Sequence, residues 1–368
     1  EKLHPGTVKE SAMFLLRPAQ MNDLDGLAKL AEELDSLNLP ADRRELETEL
    51  ENSCRSFTEP SSESRFMFVA EADGHVVGTS SIFAKHGKPG FPHIYFQVSE
   101  VENHSKLVGS RRLRFLSFHT DEDGPTELGG LVVSRAWRAH PLKVGLQLSM
   151  LRFLFIALHR DYFEPRLLSE LMPTLREDRT TPLWDAIGAP FTGLSYAMAD
   201  RLSIHNKEFI LALFPREPIC VELLPKEAQA VIGVTGEASK PAERMLLRIG
   251  FRFLNQVCPF DGGPHLGALT DSTTAVLESR PSVFAGEERA DLASQALVVS
   301  GAGHDLRCVL TGMAVTRDLA EARLEPAAAR LLGLEPGSPV WLLPVRTIPV
   351  RAGTASASAL ISPTSGLF

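Results

Sequence analysis

Apolar residues first cluster in a short run at 13–18 (MFLLRP). It predicts a buried strand, stopped by Pro18 because proline cannot extend a ladder. Asn22 and Asp23 then open a helix whose apolar positions, Leu24, Leu27, Ala28, Ala31 and Leu34, form one stripe. A second helix is predicted over 42–57, with Leu46, Leu50, Cys54 and Phe57 along one side. Residues 66–71 and 75–82 flank an Asp73-Gly74 turn and predict a hairpin. The Gly/Pro-rich stretch 86–92 reads as a loop before a strand over 94–98. The polar stretch 102–126 has weak periodicity and predicts a long connection. Residues 127–133 predict a central strand, followed by a turn and a helix over 143–159 that is apolar nearly all round, hence buried on most sides. A short apolar strand over 167–172, helical patterns near 182–187, 206–214, 226–232 and 241–249, and a strand at 251–254 follow.

After about Ser279, short β-type runs alternate with Gly/Ala-rich turns. The expected organisation is a main unit over 13–278, a small β-rich subdomain over 279–351 and a disordered Ser/Ala/Thr-rich tail over 352–368. Two units also suit the length of 368 residues. A content of 44% hydrophobic and 23% charged residues permits a sizeable core. No apolar run approaches the roughly 20 residues of a membrane span. The opening residues 1–4 lack a secretory pattern, and Met13 reads as the natural start. A net charge of −8 argues against a nucleic-acid surface and is compatible with a cationic small substrate. Cys54, Cys220, Cys258 and Cys308 have no paired spacing, so they predict reduced, mostly buried thiols and a cytoplasmic location, with no metal site.

A strand that ends at a helix start can bind an anion, because the first-turn amides are unpaired and the helix dipole favours negative charge. Residues 127–145 have that form: the loop begins at Arg138, Lys143 adds a positive charge, and Gly145 lets backbone approach closely. Three segments resemble the GNAT superfamily of acyl-CoA N-acyltransferases. They are FLLRPAQMNDLDGLAKLAEEL at 14–34, FMFVAEADGHVVGTSSIF at 66–83 and TELGGLVVSRAWRAHPLKVGLQLSMLRFL at 126–154. That loop has one glycine where the superfamily usually has two. Over most of the chain, the resemblance is to the arginine N-succinyltransferase family. It rests on TELGGLVVSRAWR, on TPLWDAIGAPFTGLSYAMADRLS at 181–203, on KEFILALFPREPICVELLPKEAQAVIG at 207–233 and on IGFRFLNQVCPFDGGPHLG at 249–267.

The resemblance implies an α+β GNAT-like fold with an extra C-terminal β subdomain. It also implies transfer of a succinyl group from succinyl-CoA to the α-amine of L-arginine. The acyl-CoA would be a co-substrate with no tightly bound cofactor, the partners small molecules, and the assembly a homo-oligomer. The succinyl-CoA contact carries over to Leu131, and Val133, Arg138, Lys143, Val144 and Gly145 complete the expected CoA site. The family's proton-donating histidine carries over to Gly236, which cannot move a proton. Leu246 stands where related enzymes often have a tyrosine acid.

Glu170, inside the apolar strand LLSELM, is therefore a candidate base, tuned toward neutral pH by burial. His119 and His265 are further candidates, and Glu127 could pair with a guanidinium. Each also has an ordinary structural explanation. The turn Asp261-Gly262-Gly263-Pro264 either lines the substrate or simply reverses the chain. An acyltransferase for another amine such as ornithine, and a catalytically silent GNAT-like binding module, are the alternatives.

Overall fold

The structure, a computed structural model, describes residues 13–34, 39–40, 42–288, 294–316 and 319–345. The expectations for residues 1–4 and for the tail 352–368 lie outside the described residues. Ten strands build the larger part of the sheet: β1 (Leu15–Pro18), β2 (Arg65–Ala72), β3 (His75–Phe83), β4 (His93–Ser105), β5 (Gly109–Asp121), β6 (Thr126–Val133), β7 (Arg166–Glu170), β8 (Ile219–Cys220), β9 (Arg252–Val257) and β10 (Pro264–Leu269). Their lateral order is β1-β2-β3-β6-β7-β10-β9-β4-β5-β8. All neighbours are antiparallel except β6 and β7, which run parallel.

Helices cover both faces of the β1–β6 region, which explains why β2 is apolar at consecutive positions rather than alternating. Met67 and Val69 pack with α1 (Leu24–Leu34) and α2 (Arg43–Ser56). Phe66, Phe68 and Ala70 pack on the other face with α3 (Val144–Leu158). Asp42 caps α2, its carboxylate accepting from the Arg44 and Glu45 amides. Helix α3 is apolar nearly all round because it is buried on most sides, as its composition predicts. This is an α+β architecture. Among the described residues no helix is long and apolar enough to cross a membrane.

The long connection expected over 102–126 is instead a β-hairpin. β4 and β5 stay in unbroken register from His93↔Asp121 to Ser105↔Gly109. Most of the distal half is solvated on both faces, so no alternation marks it as strand. The thiols also differ from expectation: only Cys308 is buried, while Cys54, Cys220 and Cys258 are half-buried.

Beyond Ser279, five strands, β11 (Arg280–Glu287), β12 (Gln295–Ser300), β13 (Arg307–Val315), β14 (Glu321–Leu324) and β15 (Pro339–Val345), pair in the circular order β12-β15-β11-β14-β13-β12. They close into a small barrel with its own apolar interior, including Phe284, Val298, Val309, Leu324 and Leu342. The barrel joins the larger sheet where Leu16 of β1 pairs with Cys308 of β13.

Candidate active site

The parallel pair β6–β7 is short. Thr126 opposes Leu167 and Glu127 opposes Leu168, and then the ladder ends. Side chains take over the backbone carbonyls beyond it: Ser169 Oγ donates to the Leu128 carbonyl at 3.2 Å, and Arg152 Nη1 donates to the Gly129 carbonyl at 3.2 Å. Arg152 is buried in α3, and burial pushes its guanidinium down to about 10, with Glu127 opposing the shift. On the other edge of β6 the register against β3 shifts between Thr79 and Ser81. There Gly130 adopts φ +59, a left-handed bulge that turns the strand. The sheet therefore opens between β6 and β7.

On the α3 face this opening is a cleft of ≈ 1390 Å³, lined by Leu131 and Val133 of β6 and by Met172 and Pro173 after β7. That is larger than a usual small-molecule pocket, and suits a long extended ligand. Arg138, Lys143, Arg179, Arg244 and Arg248 line it together with the acids Glu237 and Glu278, and Leu343, Pro344 and Val345 of β15 form one wall. Lys143, at φ 49, is the N-cap of α3, so the first-turn amides of Val144 and Gly145 are open to an anion. Five of the expected CoA residues, Leu131, Val133, Arg138, Lys143 and Gly145, border this cleft. Val144 does not: its side chain is buried in the core, and only its amide is placed to serve.

The opposite face of the same split carries a different chemistry. Leu128, Leu167, Leu171 and Leu266 belong to the core under α3. Strand alternation therefore turns Glu127, Glu170 and His265 to the other side. His265 lies directly across from Glu170 in the β10–β7 register. The 86–92 loop adds His86, fixed by its amide donating to the Pro125 carbonyl at 2.7 Å, and β4 begins with His93. His86 Nδ1 stands 2.6 Å from Glu127 Oε2, and His86 Nε2 lies 3.9 Å from Glu170 Oε1. His93 Nε2 is 3.3 Å from Glu170 Oε1, and His265 Nε2 is 3.6 Å from Glu170 Oε2. Lys207 reaches in from the side, its ammonium donating to the Pro92 carbonyl at 3.0 Å above the Phe91 ring.

Charge in this chamber is strongly perturbed. Burial alone pushes the Glu170 carboxyl up, but His265, His93 and His86 outweigh it and hold the group below the ordinary carboxylate range. The expectation that burial tunes Glu170 toward neutrality is thus reversed by three imidazoles that the strand motif does not reveal. Burial opposes the charged form of His86, yet Glu127 and Glu170 lift it above the usual histidine value. Burial pushes His265 down to about 4.

His119 does not join the cluster. It lies exposed on β5, stacked on Tyr95 at 5.6 Å. Glu127, expected to receive a guanidinium, has Oε2 engaged by His86. Leu246 is buried in the core. Gly236 borders the cleft, but a Cβ there would lie 2.6 Å from the Pro173 carbonyl carbon and 2.7 Å from the Thr174 nitrogen. The backbone has closed over the seat where a histidine side chain would start. His86 and His93 escaped the sequence reading; their one signal is that two histidines bracket a Gly/Pro-rich loop.

The Asp261 turn joins β9 to β10. Asp261 Oδ1 accepts from the Gly263 amide at 2.7 Å, and Gly262 supplies the required φ of +81. Burial, with Glu170 and Asp200 nearby, pushes the Asp261 carboxyl up to about 7 against the hydrogen bonds of Gly263 and Cys258. The folded state therefore binds this proton more tightly than the unfolded chain. Its stabilising share is complete below the unfolded value near 4 and is lost as pH rises through about 7. Asp261→Asn is expected to flatten that slope and to be the more stable protein at pH 8, by up to roughly 4 kcal/mol. Urea unfolding of both proteins across pH 4–8 measures it; parallel curves would refute a neutral native Asp261.

The family model described as arginine N-succinyltransferase beta subunit matches residues 14–275. Arginine N-succinyltransferase of Enterobacter sp. (strain 638) is 33% identical over 276 residues, 73% of this chain and 79% of that protein. The same enzyme of Citrobacter koseri is 31% identical over 332 residues, 88% of this chain and 94% of the relative. Among solved structures, arginine/ornithine succinyltransferase subunit AI from Pseudomonas aeruginosa matches with a TM-score of 0.77 at 29% identity, over 91% of this chain and 99% of that one.

Proposed function

Because the chain belongs to the arginine N-succinyltransferase family, and is accordingly an acyltransferase, we propose that it transfers a succinyl group from succinyl-CoA to the α-amine of L-arginine, in the cytoplasm, by direct attack in a ternary complex. The observation that carries this reading is the split between β6 and β7, with a cleft lined by five cations on one face and two carboxylates with three histidines on the other. The diphosphate lies at the start of α3 near Arg138 and Lys143. The thioester reaches the split beside Leu131, where a backbone N–H holds the oxyanion; such a donor contributes about 3–4 kcal/mol.

The acceptor sits in the histidine chamber. Glu170 holds its ammonium group by charge. Glu127 fixes the Nδ1–H tautomer of His86, so that Nε2 presents a lone pair and takes one proton from the ammonium to free the attacking amine; the second nitrogen-bound proton, lost as the new bond forms, passes to the departing CoA thiolate. The amine nitrogen bonds to the acyl carbon, the tetrahedral adduct expels CoA thiolate, and the amide product remains. None of the four cysteines has a motif that suggests an acyl-enzyme nucleophile.

A second acceptor, ornithine, is favoured by one point: the Pseudomonas aeruginosa relative is named for both amino acids. Thiol release from succinyl-CoA across a panel of amines separates the readings. The expected result is the highest kcat/KM with arginine. A preference for ornithine moves the assignment to the second acceptor, and no thiol release with any amine rejects both.

A further inference from the structure

Two buried imidazoles of this cluster have ring nitrogens without a hydrogen bond. His93 is 3% exposed and His265 0%, yet His93 Nε2 and both ring nitrogens of His265 lack hydrogen bonds. A buried polar atom left unpaired costs about 1–3 kcal/mol, and His93 Nε2 and His265 Nε2 both face the Glu170 carboxylate, at 3.3 and 3.6 Å. We propose that His86, His93 and Glu170 form a binding site for a zinc-class divalent cation, and that this ion and the cationic acceptor exclude one another.

The donor atoms lie close together. One ligand atom from each of the three residues lies within 4.8 Å of the other two. Nitrogen and oxygen ligands stand about 2.0–2.2 Å from zinc in a tetrahedral site, which spaces them roughly 3.4 Å apart. Glu170 Oε1 and His93 Nε2, at 3.3 Å, already meet that spacing; Glu170 Oε1 and His86 Nε2, at 3.9 Å, need about half an ångström of closure. His93 Nε2 is near Glu170 but makes no aligned hydrogen bond with it, an arrangement suited to two lone-pair donors converging on an ion.

The surroundings of a metal site are present as well. Glu127 on His86 Nδ1 is the carboxylate–histidine pairing that orients a metal-binding imidazole and leaves its other nitrogen free. His265 stands behind the second oxygen of Glu170. Lys207, a neighbouring cation, is held on the Pro92 carbonyl and the Phe91 ring. Two histidines and one carboxylate, with a fourth position open, suit zinc and its neighbours among the first-row divalent ions.

Exclusion of the acceptor rests on the functional reading, since the ion would occupy Glu170 and the lone pair of His86. Binding itself does not. The test begins with Co²⁺ added to chelator-treated full-length protein. One ion per chain is expected, with the visible spectrum of a four- or five-coordinate site. His93→Gln should weaken that binding by about 10–100-fold, with circular dichroism retained. Zn²⁺ should raise the apparent KM for arginine without lowering kcat, and excess chelator should reverse it.

Absence of stoichiometric Co²⁺ binding, or equal binding by His93→Gln, overturns the site. Binding with inhibition that arginine cannot relieve overturns the exclusion. A protein that binds Co²⁺ but releases no thiol with any amine defeats the functional reading and leaves the metal site standing.

Discussion

Replacing His86 with glutamine is expected to lower kcat by roughly 10²–10⁴-fold, with little change in KM for the acyl donor. The cleft proposed for the donor is on the α3 face of the split, whereas His86 Nε2 opens toward Glu170 on the other. Glutamine retains a polar group of similar reach but offers no nitrogen that can accept the amine proton. Glu127→Gln should give a comparable fall, because it removes the anion that fixes His86 Nδ1 at 2.6 Å. The double variant should be little worse than either single one, as expected of groups that act as a unit. Glu170→Gln should differ by raising the KM for the amine together with its loss of kcat. Steady-state thiol release measures all four. Undiminished turnover in His86→Gln would remove the proposed base, and undiminished turnover in Glu170→Gln would remove the carboxylate from the acceptor site.

Gly236→His carries the second large effect, and its sign runs against a simple reading of the family. Restoring the histidine should not raise activity. A Cβ at this position meets the backbone of Pro173 and Thr174 inside 3.0 Å, and backbone cannot swing aside as the end of a flexible side chain can. The Gly236 amide also donates to the Met172 carbonyl at 3.0 Å, so relief would cost a hydrogen bond beside the split. Stability should fall by about 3 kcal/mol or more, and turnover should fall with it because Met172 and Pro173 line the cleft. Denaturant unfolding and thiol release are the measurements. A stable, faster variant would show that the 173–174 segment yields and that the histidine seat still exists.

The difference between what the sequence displays and what it conceals follows from how many constraints each element satisfies locally. β2, β3 and β6 could be read because both faces, or one face and a turn, impose apolar positions and an Asp-Gly signal. The α3 start could be read because a strand running into a helix has few outcomes. The distal β4–β5 hairpin was hidden because its side chains face water on both sides and leave no period.

The candidate site divides along the same line. The cleft residues from Leu131 to Gly145 are nearly contiguous in sequence, so one motif exposed most of them. The chamber takes His86 from a loop, His93 from β4, Glu127 from β6, Glu170 from β7 and His265 from β10; only tertiary pairing brings those five together. Glu170 could be singled out as a charge inside an apolar run, but its company could not, and that company reverses the direction of its proton affinity.

The barrel wall of the cleft has a consequence for the whole molecule. Phe284, Val298 and Leu342 form an apolar centre separate from the one beneath α3, yet Leu343–Val345 and Leu131 border the same cleft. A bound acyl-CoA would therefore act as a rivet across a seam that Leu297, Val299, Cys308 and Leu343 of the barrel already share with the core under α3. Its binding energy, RT ln(1 + [L]/Kd) in excess ligand, would be withdrawn from any opening that parts the barrel from β6, so saturation should raise the temperature at which that seam opens.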